Sequence, residues 1–373
     1  MTARQRRLKA HDRQLLRDQP MAEEQLTDYP VGWYFARFSE DLAPGQVVPV
    51  EFMSHQFALF RGQNGTVGMV DSQCCHMGAD LGRCGTVAGD RLVCGYHAWE
   101  FNAAGRCTAI PKVQPARIPP RARQRAVPVL ERAGNIWFWY GPEPTRELLD
   151  ISCFDSPRYT NIKGQIHIGR SNPLPMFEHV ADSYHFPHNH RAAGSLEYLV
   201  TANDGHRFEF QLQPTPGSKG VNVQRFFKPH AFIEMAGPCI AVYRAQKDGT
   251  INRTSPLLTV LIGVTPVREN VTVLAWRIAV RRIGPNIPFG PLNWLLARAL
   301  WFVIAWNVHV DLEVLKWMRP PAKTLWVKPD GSSVREYRNF YHRNIIAGWR
   351  PGVQPVVDES EPQLEPQSGG SRD

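Results

Sequence analysis

Two short loops constrain this chain more than any other feature of its sequence. The first reads Cys74-Cys75-His76, and after seventeen residues the second reads Cys94-Gly95-Tyr96-His97. Each loop offers one thiolate and one imidazole, so a fold that brings them together builds a site with two Cys and two His donors. Five of the seven cysteines fall within 34 residues, which suits metal binding better than a secreted disulfide framework. Zinc takes four such donors tetrahedrally, but its loops usually carry C-x2-4-C and H-x3-5-H groupings. A two-iron cluster with two Cys on one iron and two His on the other asks each loop for one of each. Cys75 can replace Cys74 only in a register that loses His76.

The chain is long enough for more than one site. At 373 residues, 43% hydrophobic and 21% charged, it reads as a folded protein of two domains. Formal net charge is +9, with basic residues gathered at Arg4, Arg6, Arg7, Lys9, Arg13 and Arg17 and again over 117–125. Neither patch is interleaved with aromatics or carries a nucleic-acid motif, so no nucleic-acid partner is expected, and an acidic redox partner is the alternative. The N-terminus lacks an apolar signal core. Arg6-Arg7 resembles a twin-arginine start without the apolar run, Met21 is an alternative start, and a cytoplasmic location is the expectation. Residues 292–306 are apolar, but 15 residues with Arg298 among them are short of a membrane span. A buried core helix is the plain expectation, with an interfacial helix admitting greasy substrates as the alternative and membrane association less expected.

Turn signals divide the chain. Residues 1–28 read as a flexible tail. Short strands at Val47–Phe52, 56–61, 66–70, Arg91–Val93 and Asn135–Tyr140 point to an all-β domain over 29–145, closed by the Gly141-Pro142-Glu143-Pro144 linker. Residues 146–350 read as α+β: a helix near 175–184, strands at 207–212, 259–267 and 272–280, a long helix over 292–317 and a last one near 334–346. Residues 351–373, rich in Pro, Glu, Ser and Gly, read as a disordered tail.

A second cluster of ligand types stands in the second domain, in the run Glu178-His179-Val180-Ala181-Asp182-Ser183-Tyr184-His185-Phe186-Pro187-His188-Asn189-His190. Two His and one carboxylate hold iron in non-haem Fe(II) oxygenases and leave positions open for dioxygen and substrate. Within the run His185 and His190 are the candidates and His188 is the rival. Pro187 is expected to break a helix between them, so that they need not share a helix face.

The second loop continues His97-Ala98-Trp99-Glu100-Phe101-Asn102 and then Gly105-Arg106-Cys107. This run is similar to the C-x-[FY]-H-x-W-x-[FY]-[DN]-x-x-G-x-C pattern of Rieske oxygenases and their ferredoxins, with Trp99 and Phe101 expected to shield the cluster. Where respiratory Rieske subunits carry an extra disulfide, this chain has Ala79 and Tyr96, so the resemblance points away from them. Cys75, Cys84 and Cys107 are then expected as packed thiols. Asp182, His185 and His190 have the D-x2-H-x4-H spacing of the oxygenase α subunits, although that family usually has Glu-Asn where this chain has Glu178-His179; His179 is left without a role. The segment around Asp311 resembles, loosely, the ligand-bearing helix of 3-ketosteroid 9α-hydroxylases and aminopyrrolnitrin oxygenase. That makes Asp311 the expected third ligand and Glu313 the rival.

The resemblance spans about 30–350 and identifies the chain with Rieske non-haem iron oxygenases. It implies an N-terminal all-β Rieske domain and a helix-grip (StAR-related-like) catalytic domain with an antiparallel sheet. It implies two cofactors: a [2Fe–2S] cluster on Cys74, His76, Cys94 and His97, and a mononuclear Fe(2+) on His185, His190 and Asp311. It further implies a terminal oxygenase taking NAD(P)H-derived electrons from a separate reductase, directly or through a ferredoxin. No dinucleotide fingerprint is present in the chain. The expected reaction is monooxygenation by O2 of a polycyclic or otherwise hydrophobic substrate, steroid-like ones among the candidates, whether by hydroxylation, demethylation or N-oxygenation. The apolar 292–306 stretch with Phe226, Phe227, Phe232 and Met235 is a candidate pocket lining. In the family's homotrimers Asp182 would bridge His185 to His97 of the neighbouring subunit. Alternatives are a cis-dihydroxylating dioxygenase and an electron carrier fused to a lipid-binding domain.

Overall fold

The computed structural model describes residues 28–190, 196–214, 231–245, 255–284, 286–318, 324–327, 332–347 and 349. The two tails expected at the ends, together with Phe226 and Phe227, lie outside the described residues.

The N-terminal half is all β. A first sheet pairs β1 (Gly32–Phe38) with β10 (Asn135–Tyr140) and β9 (Val129–Arg132). A second is the meander β2 (Val47–Phe52), β3 (His55–Arg61) and β4 (Val67–Asp71). A third holds four very short strands, β5 (Thr86–Ala88), β6 (Arg91–Val93), β7 (Glu100–Phe101) and β8 (Cys107–Ala109), preceded by the one-turn helix α1 (Leu81–Cys84). A small core of Ala58, Phe60, Val70, Leu81, Leu92 and Phe101 joins the second and third sheets, and Cys74 and Cys94 pack into it. The β2–β3 hairpin turns on Met53 and Ser54, both at positive φ, as a two-residue turn between twisted strands requires. Its tip reaches into the other half: the N–H groups of Met53 and Ser54 donate to the carbonyls of Pro266 and Val267 at 3.0 and 2.8 Å.

The C-terminal half is a seven-stranded antiparallel sheet in the order β11-β17-β16-β15-β14-β13-β12. Its strands are β11 (Tyr159–Gly169), β12 (Leu196–Asp204), β13 (Arg207–Pro214), β14 (Ala231–Ala236), β15 (Ile240–Ala245), β16 (Leu258–Arg268) and β17 (Val271–Arg281). An antiparallel sheet with one wet face alternates apolar and polar residues; the central strands here are mostly apolar and are covered on both faces. Along β17, Leu274, Trp276 and Ile278 enter the core beneath the helices, while Ala275 and Ala279 face Phe35 and Trp137 of the first domain. Polar bonds fix that domain contact: buried Thr265 Oγ1 donates to the Phe35 carbonyl at 2.7 Å, and buried Arg277 reaches out through Nη2 to both carboxylate oxygens of exposed Glu40 at 2.6 Å.

Four helices besides α1 complete the described fold: α2 (Pro173–Glu178), the single turn α3 (Phe186–Asn189), α4 (Asn286–Leu315) and α5 (Ser333–Arg343). The helix expected over 175–184 stops at Glu178, is followed by a 3-10 turn at His179–Ala181, and Asp182 then leaves helical geometry. The antiparallel sheet packed on a long helix is the helix-grip arrangement expected. The long helix α4 lies against β11 and β17 at one side of the sheet, and α5 lies against β12 and β13 at the other. The helix is 30 residues long and begins six residues earlier than expected.

The buried-core reading of 292–306 does not survive. Leu295, Phe302 and Trp306 are 61%, 60% and 68% exposed. Only one side of the helix meets the sheet, where Ala297 is fully buried and Trp301 Nε1 donates to the Lys163 carbonyl at 2.9 Å. Phe232 and Met235 are buried in the core.

Candidate active site

The two cluster loops are the same turn written twice. Cys74 N donates to Ala79 O and Gly78 N to Cys74 O, both at 2.8 Å; Cys94 N donates to Trp99 O at 2.8 Å and Ala98 N to Cys94 O at 2.9 Å. Gly78 and Ala98 hold equivalent positive-φ positions. Gly95 is required by space, since a Cβ there would stand 2.0 Å from the Cys84 carbonyl oxygen. Buried Gln124 pins the first loop: its Oε1 accepts from Cys75 N at 2.7 Å and its Nε2 donates to Gln73 O at 2.8 Å.

These turns bury Cys74 and Cys94 side by side and turn the two histidines outward, with the His76 and His97 rings 4.6 Å apart. Burial pushes the Cys74 thiol up to about 12, with Cys94 adding in the same direction. Two thiolates there need cations at the same place, which a two-iron cluster supplies. The donor set therefore fits the group: sulfur inside, nitrogen toward the surface. Phe101 is buried beneath the loops and Trp99 stacks on His76 at 4.4 Å. Of the cysteines expected to be packed, Cys107 is buried, but Cys75 and Cys84 are exposed, because both side chains leave the small core at the loop edge.

The second constellation is assembled from two distant segments. Pro187 does not break the chain between the histidines; it lies in the first turn of α3, where its missing N–H costs nothing. His185 O accepts from His188 N at 3.1 Å and Asn189 N at 2.8 Å, and His185 and His190 flank this turn with rings 5.3 Å apart. Asp311 arrives from the last turns of α4. One ligand atom from each of His185, His190 and Asp311 lies within 4.8 Å of the others, and His190 Nε2 is 2.9 Å from Asp311 Oδ1. Burial raises the Asp311 carboxyl, but contact with His190 and the nearby His179 and His185 outweighs it and holds it below its ordinary range. A partly buried anion facing imidazoles from two sides suits a divalent cation. The rival Glu313 points away and pairs with Lys316 at 2.7 Å; His188 is exposed and outside the group.

Asp182 stands behind His185, with Oδ2 3.6 Å from Nδ1, and its Oδ1 accepts from Tyr184 N at 2.8 Å. Beside the group opens a cavity of about 610 Å³. Its apolar lining comes from Pro175, Val314, Leu315, Met318, Leu325 and Trp326. That corrects the expected lining, because the 292–306 stretch faces outward and Phe232 and Met235 belong to the core.

The comparisons agree with this geometry. The Rieske [2Fe-2S] domain family matches residues 32–128. Cholesterol 7-desaturase nvd 1 of Ciona intestinalis is 34% identical over 353 residues, covering 84% of this chain and 68% of that one. The chain belongs to the Rieske non-haem iron oxygenases. A 3-ketosteroid-9-alpha-monooxygenase oxygenase component of Rhodococcus rhodochrous is 26% identical, covering 91% of this chain and 86% of its own. Dicamba monooxygenase bound to dicamba shares the fold, with a TM-score of 0.65 at 22% identity over 84% of this chain and 96% of that one. This Rieske oxygenase is thus an oxidoreductase that uses a [2Fe–2S] cluster and a mononuclear iron, and it works with electron-donating redox partners.

Sequence reasoning missed several residues of this oxygenase's site. Asn189 Nδ2 donates to Asp311 Oδ1 at 2.6 Å. His179, left without a role, is half-buried with Nε2 3.8 Å from Asp311 Oδ2, and loss of solvent around the ring lowers it to about 4. Glu178 is gripped by Arg338 of α5, which lies over Trp326 at 4.8 Å and donates to Thr324 Oγ1 at 2.6 Å. The Tyr198 hydroxyl is buried and feels both Asp182 and Asp311. Glu178, His179 and Asn189 stand in the run that holds His185 and His190, but only as its unassigned positions; Tyr198 and Arg338 stand in no motif.

Proposed function

We propose that this oxygenase oxidises a rigid, polycyclic, sterol- or steroid-like substrate, with iron held by His185, His190 and Asp311 and the cluster by Cys74, His76, Cys94 and His97. The observation that carries the reading is the cavity of about 610 Å³, walled by apolar side chains and ending on the His185–His190–Asp311 group. Its size is that of a drug-sized ligand site, and polar residues of its lining are engaged with one another, Glu178 and Thr324 with Arg338 and Asn189 with Asp311, which leaves Pro175, Val314, Leu315, Met318, Leu325 and Trp326 as the apolar wall. The two relatives described above are, by name, proteins of cholesterol and ketosteroid chemistry.

Iron held by His185, His190 and Asp311 would supply dioxygen activation beside the cavity. The protein's own residues set the stage. Asn189 and His179 hold the Asp311 carboxylate from its two oxygens. Asp182 fixes the tautomer and tilt of His185, as carboxylates behind metal-bound histidines do. The Glu178–Arg338 pair locks the wall that carries His179. In a homotrimer Asp182 would meet His97 of a neighbouring subunit, and the half-buried ring of His97, flanked by exposed Tyr96 and Met77, suits such a contact. Arg117, Arg121 and Arg123 are exposed and offer a docking face for an acidic ferredoxin or reductase.

The test is turnover of sterols and 3-ketosteroids under labelled dioxygen with a surrogate reductase. Hydroxylation places one labelled atom in the product, cis-dihydroxylation two and desaturation none. The desaturase relative makes desaturation the second reading. Iron content separates an oxygenase from a bare electron carrier: three irons per chain against two. No conversion of any polycyclic substrate by fully loaded protein would overturn the substrate class.

A further inference from the structure

Helix α4 breaks the rule for a surface helix. Such a helix shows an apolar stripe to the core and polar residues to water. Here Ala297, Leu312 and Leu315 face inward, yet the outward side is apolar as well. Between Phe289 and Asn307 every exposed residue is apolar, including Leu292, Trp294, Leu295, Phe302 and Trp306. The one charge in that stretch, Arg298, lies across the Trp301 and Phe302 rings at 4.7 and 5.3 Å. A contiguous apolar face of this length on a soluble domain marks a surface that something apolar covers.

The surroundings say what. At the N-terminal end of the face stand Arg281 and Arg282, with Arg158 beside them through the 2.9 Å bond from Arg282 N to its carbonyl; Arg158 and Arg281 are exposed. At the other end exposed His309 and Glu313 close the apolar face, and the helix then reaches the cavity. Val314, Met318 and Leu325 line the cavity and are themselves 51%, 41% and 87% exposed. Tryptophans along an apolar stripe, cations at its end and an apolar opening into the active site fit a lipid interface with anionic headgroups.

We propose that the outward face of α4 docks this oxygenase onto an anionic lipid bilayer, lying in the interface, so that a membrane-held apolar substrate reaches the iron through the Val314–Met318–Leu325 mouth. The stretch Phe289–Leu315 is long and apolar enough to cross a bilayer by length and composition. It does not cross, because its inner side is fastened to β11 through Trp301 and its last turns carry Asp311 into the site. Substrate delivery rests on the proposed substrate class; docking does not.

The test is flotation of the metal-loaded full chain with phosphatidylcholine vesicles, with and without phosphatidylglycerol, in the absence of substrate. Wild-type protein is expected to float with the anionic vesicles and to release as salt rises. Leu295→Glu and Trp306→Glu, both at exposed positions, should weaken binding at least about tenfold while cluster absorbance and iron content are unchanged. Their turnover of detergent-dispersed substrate should match wild type and their turnover of vesicle-held substrate should fall. Failure of wild type to float, or equal flotation of the variants, overturns the docking. So does a smaller oligomer in the variants by light scattering, which would assign the face to a second copy of the chain. Flotation without sterol turnover would keep the docking and reject the substrate class.

Discussion

Replacing Asp311 by Asn tests the mononuclear centre with almost no change of shape. The side chain keeps its volume and one oxygen, and loses the only negative charge among the three grouped donors. Two unit charges about 4 Å apart at an effective dielectric near 20 interact by ~4 kcal/mol. The Asp311 oxygens lie 2.9 to 3.8 Å from the three imidazoles, so a cation among those rings is within that range of the carboxylate. Removing the charge should weaken divalent metal binding by roughly 10³-fold, since each ~1.4 kcal/mol is tenfold. The cluster loops are untouched. Purified Asp311→Asn protein should therefore hold two irons per chain with a wild-type cluster spectrum, against three for the parent. Titration with Fe(II) or Co(II) should show the affinity loss directly. Added metal should raise the thermal midpoint of metal-depleted wild type and leave the variant unmoved. Three tightly held irons in Asp311→Asn, with unchanged affinity, would refute the assignment of the third ligand.

Asp182→Asn should keep both metals and lose most turnover, because the change touches only the group behind His185; full steady-state activity at unchanged iron content would sink that role. His179→Asn should lower metal affinity about 10- to 100-fold, the range for a group that steadies a ligand, read by Co(II) titration against the parent. Arg338→Met removes the partner of Glu178, whose own carboxyl burial already raises; a broken buried pair costs ~3–5 kcal/mol, which denaturant unfolding should show and which Glu178→Gln in the same chain should partly restore. His167 on β11 is lowered to about 4, first by burial and then by His309. The folded state thus keeps this ring neutral where the unfolded chain would protonate it. Its contribution is complete above pH ~6.5 and is lost as pH falls toward 4, by at most ~3 kcal/mol. Wild type should lose more unfolding free energy than His167→Gln between pH 7 and 4.5, and equal losses would contradict the burial of that ring.

What the sequence by itself determined is what local chemistry writes. The four cluster donors lie in two turns whose hydrogen bonds close within six residues, so spacing alone pointed to Cys74, His76, Cys94 and His97. His185 and His190 flank one helical turn and were equally visible. The long apolar strands β16 and β17 were legible because both of their faces are covered. Edge strands such as β12, with exposed Glu197 and Leu199, gave no such run. Asp311 was reachable only through resemblance, since 121 residues of sequence separate it from His190 and nothing local says that they meet. The tertiary structure alone decided that Asn189 and His179 flank Asp311 and that Arg338 from the last helix closes the cavity wall. It also decided the fate of α4. An all-apolar helix reads the same whether it is buried or not, because hydropathy records composition and not which side the sheet covers. The sheet covers one side, and the other side, with its tryptophans, was left to face outward.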